Sequence, residues 1–353
     1  MSTPDFSPLS PDDAPQSRWR PWHALVLVAL VAATALILVR HNNDSTDPGT
    51  FHREEGAVFG TFYHVTYQAP ASLHDAIEAE LLRVDSSLSM FNAASNISRI
   101  NRNETQAADT MLREVLALSL RVSDITGGAF DVTVAPLVNA WGFGYKNGTL
   151  PDSATVDSLR ALVGYRQLHL TYDGTLTKDD PRIILDCSAV AKGYGVDRVA
   201  ALLHSRGVNN FMVEIGGEIV VSGNNPKGEQ WRVGVNRPDD DPTSTGNAIE
   251  TVLPLTDCAL ATSGNYRIYY VTDDGRRVSH TINPATGYPA RHSLLSATVI
   301  APTCAEADAF ATAFMVMGID SAKALLPTLP YLQVYFIYDN DGRNAVFSTI
   351  PNN

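Results

Sequence analysis

Apolar and polar positions along this chain follow the helical period in some stretches and the strand period in others, and one stretch fits neither. From Ala301 to Gly318 almost every position is apolar, with Phe310, Phe314 and Met317 forming one stripe and alanines filling much of the rest. A helix that is apolar nearly all round is a buried helix. Thr303 and Glu306, a Thr-x-x-Glu pair just after Pro302, mark its start, and Gly318 marks its end. The helical period also predicts helices from about Ser72 to Val84, with Ile77, Leu81 and Leu82 at helical spacing, and from Thr110 to Ile125. A further helix is predicted from Val190 to Ser205, with Tyr194, Val199, Leu202 and Leu203 inward. β-branched and aromatic runs predict strands at Phe59 to Gln68, Ile183 to Leu185, Phe211 to Ile215, Glu218 to Ser222, Trp231 to Val235, Tyr266 to Val271, Leu295 to Ile300 and Tyr331 to Tyr338. Strands and helices mixed without strict alternation point to an α+β domain, and no internal repeat is visible.

The N-terminal segment has a different pattern. Trp22 to Val39 is an uncharged run of 18 residues, long enough to span a bilayer, with Arg18 and Arg20 before it and Arg40, Asp44 and Asp47 after it. This charge order favours a short cytoplasmic segment over residues 1–21, an uncleaved anchor over 22–39 and the bulk of the chain outside the inner membrane, in the periplasm of a bacterium. A cleaved signal peptide with Ala33-Thr34-Ala35 as its site is the competing reading, but the apolar run continues past it. No cysteine follows the run, so a lipoprotein anchor is excluded. Residues 40–56 are polar and read as a linker, and the domain proper is expected over 57–349.

A formal net charge of −12 argues against nucleic acid as a partner and sets a field that repels anionic nucleotides. Any phosphate site must therefore be made locally, by a metal or a helix N-terminus. Three scattered cysteines, Cys187, Cys258 and Cys304, are too few for a disulfide framework, and an odd number leaves at least one thiol unpaired and buried. Asp308 is the one carboxylate in the interior of the apolar helix, and Thr312 lies one turn on. A buried carboxylate needs a cation. Two hard oxygens at this spacing suit Mg²⁺, and a lysine paired with Asp308 is the equally weighted alternative.

Three further stretches carry candidate chemistry. Asp186-Cys-Ser-Ala189-Val-Ala-Lys192 places backbone amides at a helix N-terminus beside a lysine, either as a phosphate cradle or as an ordinary strand-to-helix turn. Gly216-Gly217 between two apolar strands is a hairpin turn by default, or a close approach of backbone to ligand. Within the turn-rich stretch from Ser279 to Pro289, His280 is the residue able to move a proton near neutral pH.

Together these stretches resemble the ApbE family, the FAD:protein FMN transferases, over about Val58 to Phe347. The match is carried by Gly60-Thr61, by Gly128-Ala-Phe-Asp-Val-Thr-Val-Ala-Pro-Leu-Val, by Trp141-Gly-Phe-Gly144, by Asp186 with Ala191-Lys192-Gly193-Tyr194 and by Gly216-Gly217. It continues through Thr262-Ser263-Gly264-Asn265-Tyr266, Ser279-His280, Asn283-Pro-Ala-Thr-Gly287 and Glu306-Ala307-Asp308. The resemblance implies a single large flavin transferase domain of α+β class behind the transmembrane helix. It implies FAD as substrate, with contacts from Met90, Phe91, Asn92, Ala129, Phe130, Asp131, Asp186, Lys192 and Ile282. It also implies Mg²⁺ held by Asp308, Thr312 and a main-chain oxygen of Ala189. Departures from the family pattern are Phe59 in place of methionine, Asn283 in place of aspartate, and Cys187 and Cys304. Asn283 keeps the turn chemistry of aspartate.

The reaction so implied is attack of a target threonine hydroxyl on the FMN phosphorus of FAD, with AMP leaving. Positioning and charge neutralisation carry such a step, and His280 is the candidate base. Acceptors implied by the family are periplasm-facing subunits of Rnf- or Nqr-type redox pumps with an Asp-x-x-(Ser/Thr)-Gly-Ala-(Ser/Thr)-x-Thr segment. The nearest segment in this chain, Asp124 to Val132, lacks the final threonine. Two rivals are an FAD pyrophosphatase using the same metal with water, and a flavin-binding protein without chemistry. The Asp308 and Thr312 pair speaks against the second, because a binding module needs no metal at the scissile bond.

Overall fold

The computed structural model describes residues 49–143, 150–238, 248–265, 269–271 and 277–351. The expected anchor, 22–39, lies outside the described residues, as does Gly144 of the Trp141 motif. Among the described residues no helix is long and apolar enough to cross a membrane.

The chain opens with β1 (Thr50–Val58) and β2 (Thr61–Ala69), then α1 (His74–Leu88), α2 (Asn96–Asn101), α3 (Thr110–Ile125), α4 (Ala135–Ala140) and α5 (Ser153–Arg160). Short strands β3 (Leu168–Leu170) and β4 (Leu176–Lys178) precede α6 (Ser188–Ser205). Then come β5 (Phe211–Ile215), β6 (Glu218–Ser222), β7 (Trp231–Asn236), β8 (Ile249–Leu255), β9 (Cys258–Gly264), β10 (Tyr269–Val271), β11 (Arg277–Ser279) and β12 (Leu294–Ala301). The chain closes with α7 (Cys304–Met317), α8 (Ile319–Leu325), β13 (Gln333–Asn340) and β14 (Arg343–Ser348).

Eight strands form one antiparallel sheet in the order β1-β2-β5-β6-β9-β12-β13-β14. Its two faces are told apart by alternation along the strands. Ala261, Val299 and Phe336 join the core built with α3, α6 and α7, whereas their neighbours Leu260, Ile300 and Ile337 pack with Trp231, Val233 and Leu253 of the β7–β8 ribbon. The sheet is therefore covered by helices on one side and by a two-stranded ribbon on the other. Helix content and antiparallel sheet together make the expected mixed architecture.

Helix α7 is buried, as its composition demands. Phe310 and Phe314 stack at 5.8 Å, and Phe314 meets Phe336 edge-on at 5.4 Å. Burial of each such ring stabilises the fold by about 1.5–3 kcal/mol. At its start the Thr303 side chain accepts from the Glu306 amide, but the buried Glu306 carboxylate is taken up by Arg121 and Tyr331, so only half of the expected capping box forms. Its place at the helix start is taken by Asp197 of α6, which accepts from the amides of Cys304 and Ala305 at 2.8 Å each. All three cysteines are free, with Cys187 and Cys304 buried.

Three sequence expectations are corrected. Phe59 is not in a strand: with φ 52° it begins the turn between β1 and β2, and its ring packs so tightly on α6 that a Cβ on Gly195 would lie 2.6 Å from it. The last residues of the expected linker, from Thr50 on, belong to β1, an edge strand whose polar sequence and half-buried pattern hid it. Ile183 to Leu185 is buried but is no strand. Its backbone is satisfied by side chains instead: Asn101 gives Nδ2 to the Leu185 carbonyl at 2.9 Å and takes the Leu185 amide at 2.8 Å, and Lys178 Nζ reaches the Ile183 carbonyl at 3.0 Å.

Candidate functional site

The site is built where α6 and α7 meet the end of the β5–β6 hairpin. Gly216 and Gly217, with φ 64° and 107°, make the two-residue turn of that hairpin, a conformation that suits glycine at both places. The hairpin reading of this pair is met, and Gly216 also lines a cavity. Glu218, the next residue, begins β6 with its side chain turned inward, 3% exposed. From the other side α7 presents Asp308, 2% exposed, and Thr312, whose hydroxyl lies 3.2 Å from that of Ser263 on β9.

Helix α6 can approach α7 this closely because Gly193 has no side chain: a Cβ there would sit 2.4 Å from the carbonyl oxygen of Cys304. The Gly193 amide, whose regular helical partner would be the Ala189 carbonyl, donates to Oδ2 of Asp308 at 3.1 Å. Ala189 and Asp308 are thereby drawn to one place. Lys192 points its ammonium to Oε1 of Glu218 at 2.6 Å. The lysine alternative for Asp308 is thus met in modified form: Lys192 contacts Glu218 and acts on Asp308 only through its charge.

Electrostatics at this junction are unbalanced. Burial pushes the Asp308 carboxyl up, and the nearby Lys192 charge and the Gly193 amide offset this only in part. Glu218 is pushed up to about 7, first by burial and then by the charge of Asp308. Burial would lower the Lys192 ammonium, but the two carboxylates outweigh it and hold the group above its ordinary value.

The cavity has a volume of about 400 Å³ and a wall more apolar than polar. Of the residues expected at the site, Ala129, Phe130, Asp131, Asp186, Ala189, Lys192, His280, Ile282, Asp308 and Thr312 all line it. Met90, Phe91 and Asn92 do not. Asn92 shapes its own loop, donating to Asp85 at 2.8 Å and accepting from the Ala94 amide at 3.0 Å. Asp131 acts on the wall from within: its oxygens accept from the amide and hydroxyl of Thr133 and from the Tyr165 amide. Asp186 accepts from the Ser188 amide and so holds the turn into α6. His280 lies with its ring 6.3 Å from that of Phe143. Asn283 accepts from the amides of Ala285 and Thr286, as an aspartate would.

Sequence reasoning missed Glu218, Thr262 and Ser263 as site residues. A glutamate opening an otherwise apolar strand directly after Gly216-Gly217 was the available signal. Thr262 and Ser263 lie in a stretch that carries the family resemblance, but nothing local says that β9 pairs with β6 and β12 beneath α7.

The donors facing the cavity here are oxygens: the Asp308 and Glu218 carboxylates, the Thr312 and Ser263 hydroxyls and the backbone at Ala189. Among the described residues no cluster of three His, Cys, Asp or Glu side chains could hold a metal. An ion at this place would draw on mixed hard oxygens, which suits Mg²⁺ rather than a softer metal. The buried Glu218 Oε2, without a hydrogen-bond partner, is the observation that makes the site fit a cation.

The ApbE family model matches residues 59–336. The chain belongs to the ApbE family. The FAD:protein FMN transferase of Haemophilus influenzae is 39% identical over 304 residues, covering 81% of this chain and 86% of that relative. The FAD:protein FMN transferase of Vibrio cholerae is 37% identical over 325 residues, covering 89% and 94%. Among solved structures, flavin transferase ApbE from Vibrio cholerae superposes with a TM-score of 0.78 at 35% identity, covering 85% of this chain and 97% of that one. The apo flavinyl transferase ApbE of Pseudomonas stutzeri gives 0.75 at 32% identity, covering 85% and 95%. The ApbE fold is therefore shared over nearly the whole described region.

Proposed function

We propose that this ApbE-family chain transfers FMN from FAD to a threonine hydroxyl of a target protein and releases AMP. The supporting observation is a cavity that joins an apolar wall to a cluster of buried carboxylates, one lysine and a helix start. Val134, Val138 and Ile282 offer an apolar surface suited to a flavin or adenine ring. Lys192 offers its charge to the pyrophosphate, which the acidic protein as a whole repels. Asp308, Thr312 and the Ala189 carbonyl would hold Mg²⁺, which supplies charge neutralisation on the phosphates and the leaving group. His280 takes the proton from the threonine Oγ as that oxygen bonds to the FMN phosphorus, while the bond from this phosphorus to the AMP oxygen breaks.

Relatives of similar length bear the name FAD:protein FMN transferase, and that agreement supports transfer over simple flavin binding. The targets that the family resemblance implies are periplasm-facing redox-pump subunits, and the chain is held at the inner membrane by 22–39, an anchor reading that rests on the charge order around that run. The full chain, FAD, Mg²⁺ and an acceptor carrying the Asp-x-x-(Ser/Thr)-Gly-Ala-(Ser/Thr)-x-Thr segment form the test. A gain of one FMN mass on the acceptor, with in-gel flavin fluorescence, is the expected result. Free FMN and AMP undiminished by acceptor would instead make the chain a pyrophosphatase.

A further inference from the structure

Glu218 is the one carboxylate at the site that the sequence did not assign, and its two oxygens differ. Oε1 takes the Lys192 ammonium at 2.6 Å. Oε2 is buried without a hydrogen-bond partner, although the side chain lines the same cavity as Ala189, Asp308 and Thr312. The amide of Gly217 in the adjacent turn is already committed to Glu214 at 2.6 Å. A buried carboxylate oxygen left without a donor carries a desolvation cost that an apolar side chain of similar size would avoid. Charge counting points the same way: when both buried carboxylates are ionised they face one ammonium, and one negative charge is left over.

We infer that Glu218 supplies, through Oε2, the second anionic charge of the divalent-cation site, and that Lys192 is the built-in counter-ion of the carboxylate pair when the cation is away. This rests on the cation reading of Asp308 given above. The arrangement makes the two neighbours act in opposite directions on cation affinity. Glu218 attracts the ion, and Lys192 competes with it for the same charge.

The test is binding of Mn²⁺ alone to the full chain without FAD, read by electron paramagnetic resonance of the free ion, for the wild type, Glu218→Gln, Lys192→Met and Asp308→Asn. Expected are binding by the wild type, at least tenfold weaker binding by Glu218→Gln and by Asp308→Asn, and tighter binding by Lys192→Met. If Asp308→Asn weakens binding and Glu218→Gln stays within twofold of wild type, Glu218 only tethers Lys192 and the inference is overturned while the cation reading stands. If the wild type does not bind, or Asp308→Asn binds as the wild type does, the cation reading itself fails. Should Glu218→Gln lose its fold by circular dichroism, Lys192→Met decides, and unchanged or weaker binding by it overturns the inference.

Discussion

The Gly193 amide donates to Oδ2 of Asp308 at 3.1 Å, across a contact so close that a methyl group on Gly193 would meet the Cys304 carbonyl oxygen at 2.4 Å. The obstacle is backbone on a buried helix and cannot swing away. Gly193→Ala should therefore push α6 from α7, lower stability by about 1–3 kcal/mol or more and take Ala189 away from Asp308. Urea denaturation gives the first effect. Loss of Mn²⁺ or FAD binding in the still-folded fraction gives the second, and retention of wild-type affinity would show that the site does not depend on this contact.

Asp308 is expected to matter more for the charge of the site than for the stability of the fold. Asp308→Ala should cost roughly 10²–10³ in flavin transfer with the melting temperature kept or raised, because it removes a carboxylate that burial has already pushed up. Thr312→Val keeps the shape and loses one neutral oxygen, so a milder loss of roughly tenfold is expected. Unfolding of the alanine variant would show instead that Asp308 is a structural partner of Lys192.

Self-labelling should not occur. Asp124 to Val132 is the stretch nearest to the acceptor pattern, and the fold ties it down: Asp124 accepts from the Tyr165 hydroxyl at 2.8 Å, and Phe130 is 2% exposed. A threonine entering the site must come on a segment of another protein, and its advantage over water lies in being held in line, which can be worth several kcal/mol, on the order of 7–11 at best. Intact mass of the chain after incubation with FAD and Mg²⁺ alone is the check. An FMN-sized adduct on its own threonine would refute this.

Asp197 gives the fold a pH dependence of defined sign. Its carboxyl is pushed up to about 6 by burial, despite the two amides of α7 that it accepts from. The folded state therefore holds its proton more tightly than the unfolded state does. This contribution is fully present below the unfolded value near 4 and is lost as pH rises through 6. Relative to Asp197→Asn, which does not titrate, the wild type should lose up to about 3 kcal/mol between pH 4 and pH 7. Paired denaturation curves at several pH values test it, and a gap that stays constant with pH would show that Asp197 is not shifted.

Some of the site could be read from local pattern alone. The start of α7 was legible because Thr303 caps it, and the burial of Asp308 was legible because no face of that helix is polar. The hairpin at Gly216 was legible because two glycines separate two apolar strands. Ile183 to Leu185 misled because a buried run states its burial but not what satisfies its backbone, and Asn101 does so from 84 residues away. The resemblance puts Met90 to Asn92 at the site; none of the three lines the cavity, and the Asn92 side chain ties its loop to Asp85 of α1 and to the Ala94 amide.

The sequence by itself determined that one carboxylate would be carried into the interior on α7, since an apolar helix cannot hide its only inner charge at the surface. It did not determine what that charge would meet. The Gly193 amide comes from 115 residues earlier in the chain, and Glu218 arrives on a hairpin whose inward direction follows from the pairing of β6 with β5 and β9. The reason is physical: periodicity encodes which face of an element avoids water, while the partner of a buried charge is fixed only when the elements pack and water is gone. Tertiary structure alone brought Asp308, Glu218 and Lys192 to one cavity and left Glu218 Oε2 without a donor.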